Sequence, residues 1–451
     1  MGAQGSWPRR GSGAFQPRRK RTSPARPGAL DPEPSRSPTE LRPSMQSNQS
    51  RHTDTARFDR RSLFRGGLGL AGALALSRPA QALFGSRPEG DDRTLVLVQL
   101  SGGNDGLSTL VPYGDDEYFK ARRVCRVDPA SLHKIDRYRG LHPALKRLSK
   151  RYKEGGLAIV QGIGYPGPNR SHFKSLDIWH SANLEGRVQD SGWIGRLLES
   201  RWKENSLPEL SVHLGKSVPY SLHSKSHPPV CFEIPESYRW VGEARASKEL
   251  ETGGEDDRSS VLDRLRGVMR DARASSARIR RAALSYTPQV EYPSTDEGTA
   301  MRAAAALIDA RLGSRVISVE FGGFDTHTGQ PNRHARLMSG LDSALASFLD
   351  DLEGRSAGEK TLVLVFSEFG RRFQENGSGG TDHGKAGILF AAGAPVQGGL
   401  IGEYPSLTDL DDKDLAYNID FRRAYASALD WLGADSLPIL GEKFNPLPLF
   451  G

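Results

Sequence analysis

TLVLVFSEFGRRFQENGSGGTDHGK, residues 361–385, holds the pattern on which the fold turns. It opens with Leu362-Val363-Leu364-Val365-Phe366, a short unbroken apolar run that suits a strand buried on both faces. The run stops at Ser367-Glu368, and Arg371 and Arg372 follow. Then come a glycine-rich loop, Asn376-Gly377-Ser378-Gly379-Gly380, and Thr381-Asp382-His383-Gly384. An α/β protein builds a site in this way, because its ligands sit beyond the carboxyl ends of the parallel strands. A strand end with solvated charges has the same local sequence. Repetition of the pattern elsewhere separates the two.

The pattern recurs on both sides. Residues 95–100 read as a buried strand, followed by Ser101-Gly102-Gly103-Asn104-Asp105-Gly106, whose glycines allow a tight turn that presents Asp105. Residues 157–160 read as a strand that runs through a Gly/Pro loop into Asn169-Arg170-Ser171-His172-Phe173 and a helix over 173–182. Ser171 then stands at a helix N-terminus, as an N-cap or as a nucleophile where free N–H groups attract an anion. Residues 315–320 form another strand, ending in Gly322-Gly323-Phe324-Asp325-Thr326-His327. Helices are expected at 142–152, 301–312, 333–352 and 421–432, with a last strand at 388–390. The spacing of Leu337, Leu341, Leu345 and Phe348 marks one apolar helix face. This alternation predicts an α/β fold, a mainly parallel β-sheet sandwiched between helices. Residues 183–300 carry the least pattern. A helix at 193–198, a strand at 210–214 and a charged helical run over 243–281 suggest a helical insert or cap.

The charge of the 451-residue chain is unevenly placed. Residues 1–82 hold 15 Lys+Arg and 5 Asp+Glu, whereas the rest holds 47 and 49. The basic excess belongs to the leader, so the body presents no nucleic-acid-binding charge. Two cysteines, Cys125 and Cys231, exclude a disulfide scaffold and a thiolate zinc cluster but permit one bridge. Residues 1–56, rich in Arg, Pro, Ser and Gly, read as a disordered extension. Residues 57–82 follow with Arg60-Arg61, a short apolar run over 66–77, and Ala80-Gln81-Ala82. That order of parts resembles a twin-arginine signal peptide. It implies a partner in the twin-arginine export machinery and a periplasmic or secreted location. The run is too short and too rich in glycine for a permanent membrane span. The folded body is expected over 91–451.

Asp105, Ser171, Asp325, His327 and Glu368 thus stand after strands, and His383 on the glycine-rich loop. Carboxylates and imidazoles are the ligands of zinc, manganese and similar divalent ions where thiolates are absent. One or two such ions could activate Ser171 and bind the oxygens of a phosphoryl or related ester.

LVQLSGGNDGLSTLVP, NRSHF, FGGFDTH and SEFGR…TDHG resemble the twin-arginine-exported family called domain of unknown function 1501, which is assigned to the alkaline phosphatase-like (sulfatase) superfamily. The resemblance runs from about Thr94 to the C-terminus. It implies Asp105 as the first-strand metal aspartate and Ser171 as the nucleophile. It also implies Asp325, His327 and His383 as one metal site. Glu368 stands where the superfamily usually has an Asp-His pair, and with Asp105 would form a second. Arg170-Ser171-His172-Phe173-Lys174 lacks the Cys/Ser-x-Pro-x-Arg context of formylglycine sulfatases.

The expected function is an exported metal-dependent hydrolase of phosphate esters, and secondarily of sulfate esters. Arg170 or Arg371 would bind the anionic oxygens of a small or polymeric ester substrate. The competing reading is a non-catalytic protein of the same fold that binds an anionic polymer or a protein partner. Metal content separates the two.

Overall fold

The computed structural model describes residues 92–187, 189–205, 207–238 and 259–451. All lie within one compact unit, Ala75–Gly451. The N-terminal extension and the signal peptide read from the sequence lie outside the described residues.

A nine-stranded sheet organises this unit. Its strands are β1 (Thr94–Leu100), β2 (Leu157–Gly164), β3 (Ser211–Leu214), β4 (Val230–Phe232), β5 (Val316–Phe321), β6 (Thr361–Phe366), β7 (Gly387–Ala392), β8 (Gly399–Ile401) and β9 (Ile419–Asp420). Their order is β8-β2-β7-β6-β1-β5-β3-β4, with β9 also on β2. β1 is central and pairs in parallel with β5 (Val96 opposite Ile317) and with β6 (Val96 opposite Val363). Only β7 runs against the others, pairing antiparallel with β6 and β2.

Alternate residues of one strand enter opposite layers, as the pleat requires. Val96, Val98, Val363 and Val365 join one core with Met338, Leu341, Leu345 and Phe348. These last four come from α6 (Gln330–Leu352), the amphipathic helix read from the leucine spacing. Leu95, Leu97, Leu362 and Leu364 join the other core. There they meet Trp179 of α2 (His172–Ser181), Trp193 of α3 (Trp193–Arg201) and Tyr425 of α7 (Arg422–Trp431). Burial on both faces explains why β1 and β6 are continuous apolar runs. The remaining larger helices are α1 (Lys146–Lys153), α4 (Ser259–Ser285) and α5 (Asp296–Asp309).

Residues 183–300, read as a helical insert or cap, also contribute strands to the sheet. β3 and β4 extend the sheet in parallel from β5, and Trp193 and Leu197 are core residues. β3 is the strand read at 210–214, whereas β4, with three residues, is too short to show a period. The helical part of the charged run is α4; residues 243–258 lie outside the described residues. Cys125 and Cys231 are both free. Burial pushes the Cys125 thiol up to about 12, which removes it as a nucleophile at neutral pH. No helix among the described residues is long and apolar enough to cross a membrane.

The topology decides where chemistry can occur. β1, β2, β5 and β6 all deliver their carboxyl ends to one edge. β7 starts from that same edge because it is antiparallel, so residues 367–386 leave and return there. His383 therefore stays beside the exits of β1 and β5.

Candidate metal centre

Asp325 is at the middle of the site. The chain leaves β5 through Gly323, whose φ of +91° an L-residue rarely adopts. The Phe324 N–H then donates to Ser101 O at 3.1 Å. Gly102, at φ +121°, packs so closely that an added Cβ would lie 2.3 Å from Asp325 N. The glycines after β1 thus serve a close approach to the Asp325 loop, rather than the presentation of Asp105.

Three imidazoles surround Asp325, each held from outside. His383 donates Nδ1–H to Arg170 O at 2.7 Å and points Nε2 at Asp325 Oδ1, 3.1 Å away. His327 places Nδ1 on Asp382 Oδ1 at 3.1 Å and Nε2 on Asp325 Oδ1 at 3.0 Å. His172 places Nδ1 on Glu368 Oε1 at 2.8 Å and Nε2 3.7 Å from Asp325 Oδ2. The Nε2 atoms of His327 and His383 are 2.9 Å apart. An outer oxygen on each Nδ1 sets the tautomer with a bare Nε2, the usual support of a metal-ligating histidine. Two Nε2 atoms that close need either a shared proton or a cation between them. Tetrahedral zinc bonds of about 2.0–2.1 Å would separate neighbouring ligands by about 3.3 Å, and the distances of 2.9 to 3.7 Å bracket that value. His172, Asp325 and His383 could hold a metal ion, with ligand atoms all within 4.8 Å of one another. His327 stands beside this trio, its Nε2 2.9 Å from that of His383. The residues fit the group they were expected to bind.

Arg371 supports the carboxylate from below. It is 1 % exposed, and its guanidinium donates to Gly103 O at 2.7 Å, Thr381 O at 2.7 Å, Phe324 O at 3.0 Å and Gly102 O. The remaining bond goes to Asp325 Oδ1 at 2.6 Å. Partial burial raises the Asp325 pKa, but the Arg371 and His383 hydrogen bonds outweigh it and bring the carboxyl to about 2. The hydrogen bond that His172 donates to Glu368 raises the His172 pKa, whereas burial lowers that of His383.

The other expected residues divide. Arg371 is placed otherwise than expected: buried and bonded to four backbone carbonyls and Asp325, it supports the Asp325 loop instead of facing an ester. Asp105 is also placed otherwise. It is fully buried and paired with Arg122 at 2.6 and 3.2 Å, and it caps its own turn through Leu107 N. Ser108 Oγ donates to it at 2.7 Å, and Gln330 also bonds it. Glu368 is 1 % exposed, and its Oε1 also accepts from Gly102 N at 2.9 Å. It positions His172 and leaves no free pair with Asp105 for a second ion. Ser171 is exposed at the start of α2, and its side chain makes no capping bond. It lies between Arg170, which orients His383, and His172. Arg170 Nη2 is 3.5 Å from both Asp412 and Asp414, while its Nε has no partner.

His172 and Asp382 were missed by sequence reasoning. His172 sits in the quoted NRSHF motif, and its signal was adjacency to Ser171 at a strand exit. Asp382 was the acid beside His383.

Burial drives the Asp105 pKa up, but Arg122 more than offsets this, so the carboxyl ionises well below its usual range. A depressed carboxyl pKa contributes stability above the unfolded value, about pH 3.9, and loses it as pH falls below that. Arg122→Met leaves that carboxylate unpaired and buried. It should cost about 3–5 kcal/mol in urea unfolding at pH 7. A loss under about 1 kcal/mol would mean that Asp105 has another counter-charge.

Fold and site define a three-layered α/β protein with a histidine–aspartate cluster that could hold a metal ion at the carboxyl edge of its sheet. The family model described as Protein of unknown function (DUF1501) matches residues 256–435, which contain FGGFDTH, SEFGR and TDHG. This is the family whose motifs the sequence resembles. No curated protein matches the sequence. Among solved structures, the chain is similar to a protein in the alkaline phosphatase superfamily from Vibrio parahaemolyticus. Identity is 11 %, with 79 % of this chain and 71 % of that chain covered, and the TM-score is 0.38. A putative sulfatase from Bacteroides thetaiotaomicron is 8 % identical over 79 % and 76 %, with a TM-score of 0.36. The soluble domain of lipooligosaccharide phosphoethanolamine transferase A from Neisseria meningitidis is 11 % identical over 79 % and 94 %, with a TM-score of 0.35.

Proposed function

We propose that this protein is an exported metal-dependent hydrolase of phosphate esters, with sulfate esters as the second substrate class. The convergence of three imidazole Nε2 atoms on Asp325 beside the exposed, uncapped Ser171 carries this reading. Three nitrogens and one carboxylate favour zinc, then manganese. One ion is expected, held by Asp325, His172, His327 and His383, since Asp105 and Glu368 are otherwise engaged. When bound, such an ion polarises an ester oxygen and lowers the pKa of a nearby hydroxyl. Ser171 Oγ would form the bond to phosphorus as the ester oxygen departs, and water would then release phosphate. Arg170 would bind a non-bridging oxygen in place of its long contacts to Asp412 and Asp414.

A panel of phosphate mono- and diesters and sulfate esters tests this on zinc-loaded, manganese-loaded and chelator-stripped protein. Turnover of a phosphate ester that disappears on stripping and returns on reloading is expected. Metal-bound protein inert to the whole panel would favour the binding-protein reading. Export rests on Arg60-Arg61 and Ala80-Gln81-Ala82. Replacing both arginines with lysine should leave the precursor in the cytoplasm, and undiminished export would refute that route.

A further inference from the structure

A groove of ≈ 370 Å³ lies between the exit of β5 and the outer side of α6. Phe321, Leu337 and Leu341 give it an apolar floor. Gly322 and Gly323 line it, and a Cβ on Gly322 would meet nothing within 4 Å. Arg333 and Arg336 also line it, both exposed. Neither makes an ion pair or a hydrogen bond with any described residue. Glu297 is the one carboxylate of the lining, so the groove keeps an excess positive charge.

The groove adjoins the metal centre along the chain. Phe324 lines it and immediately precedes Asp325. α6 starts at Gln330, three residues after His327, so Arg333 and Arg336 lie on its first two turns. At 1.5 Å per residue, Arg336 stands about 9 Å along α6 from that end. Unpaired guanidinium forks suit the oxygens of a phosphate or sulfate. An apolar floor below them suits the face of a sugar ring. These two preferences describe one ligand, a ring that carries an oxyanion.

We propose that this groove is a subsite for a second anionic group on the substrate. The preferred substrate is then a sugar ester with two or more phosphate or sulfate groups. One group sits at the metal centre and another between Arg333 and Arg336. The placement of the first group rests on the hydrolase reading; binding in the groove does not.

Glucose 1-phosphate and glucose 1,6-bisphosphate are suitable probes, because they differ only in the second anion. The Arg333→Gln/Arg336→Gln protein should show a KM for the bisphosphate raised about tenfold, with kcat unchanged. Its constants for the monophosphate should stay within about twofold. Gly340→Leu should act likewise, since Gly340 lines the groove and an added Cβ meets nothing within 4 Å. Equal changes for both sugars, or none, would overturn the proposal. Calorimetric titration of chelator-stripped protein with the bisphosphate reads the groove without turnover. Binding by the wild type that the double variant loses is expected, whereas absent binding, or equal binding by both, would refute the subsite. Absence of turnover on every ester would refute the hydrolase reading alone, and this titration would still decide the groove.

Discussion

Asp325→Asn should leave the purified protein with less than about a tenth of an equivalent of divalent metal and lower turnover at least about a thousandfold. The carboxylate is the group on which His172, His327 and His383 converge, and its charge balances Arg371 and would balance an ion. The amide keeps the size of the side chain, and Arg371 keeps its four carbonyl acceptors, so folding should survive. Elemental analysis with circular dichroism on the same sample checks this. Full metal occupancy in a folded variant would show that Asp325 is not a ligand.

Ser171→Ala should lower turnover on the order of a thousandfold or more while metal content stays at the wild-type level. An N-cap serine would instead lose about 1 kcal/mol of stability on the same substitution. Ser171 occupies the cap position of α2 without a capping bond, so the cap cost is not expected. Its backbone N–H is satisfied by Asn169 Oδ1 at 2.8 Å. Unfolding free energy should therefore change by less than about 0.5 kcal/mol. A variant that turns over at a near-normal rate would require another nucleophile.

The fold was legible wherever a strand was long enough to state its environment. The apolar runs of β1 and β6 could be buried on both faces and little else, and the leucine spacing of α6 gave its apolar stripe. β3 was legible as a strand at 210–214, but β4 was not, because three residues show no periodicity. The antiparallel sense of β7 was also hidden. Nothing in Ile388-Leu389-Phe390 encodes direction, yet that sense returns His383 to the site.

Site residues were legible by type and by position after strands, but not by what each one touches. Asp105 and Asp325 follow similar glycine turns. Only the fold places the Arg122 guanidinium on the first and three imidazoles around the second. Arg371 looked like an anion clamp because an arginine after a strand usually reaches solvent. Here Gly102, Gly103 and Thr381 offer carbonyls at the one place its side chain reaches. Glu368 looked like a ligand, and its burial against Gly102 N makes it the outer partner of His172.

An anomalous difference map at the zinc edge, from crystals of the zinc-loaded protein, tests the central claim most directly. The account predicts one strong peak about 2.0–2.1 Å from the Nε2 atoms of His172, His327 and His383 and from an Asp325 oxygen. No peak among those four side chains, or a peak at Asp105 instead, would contradict it.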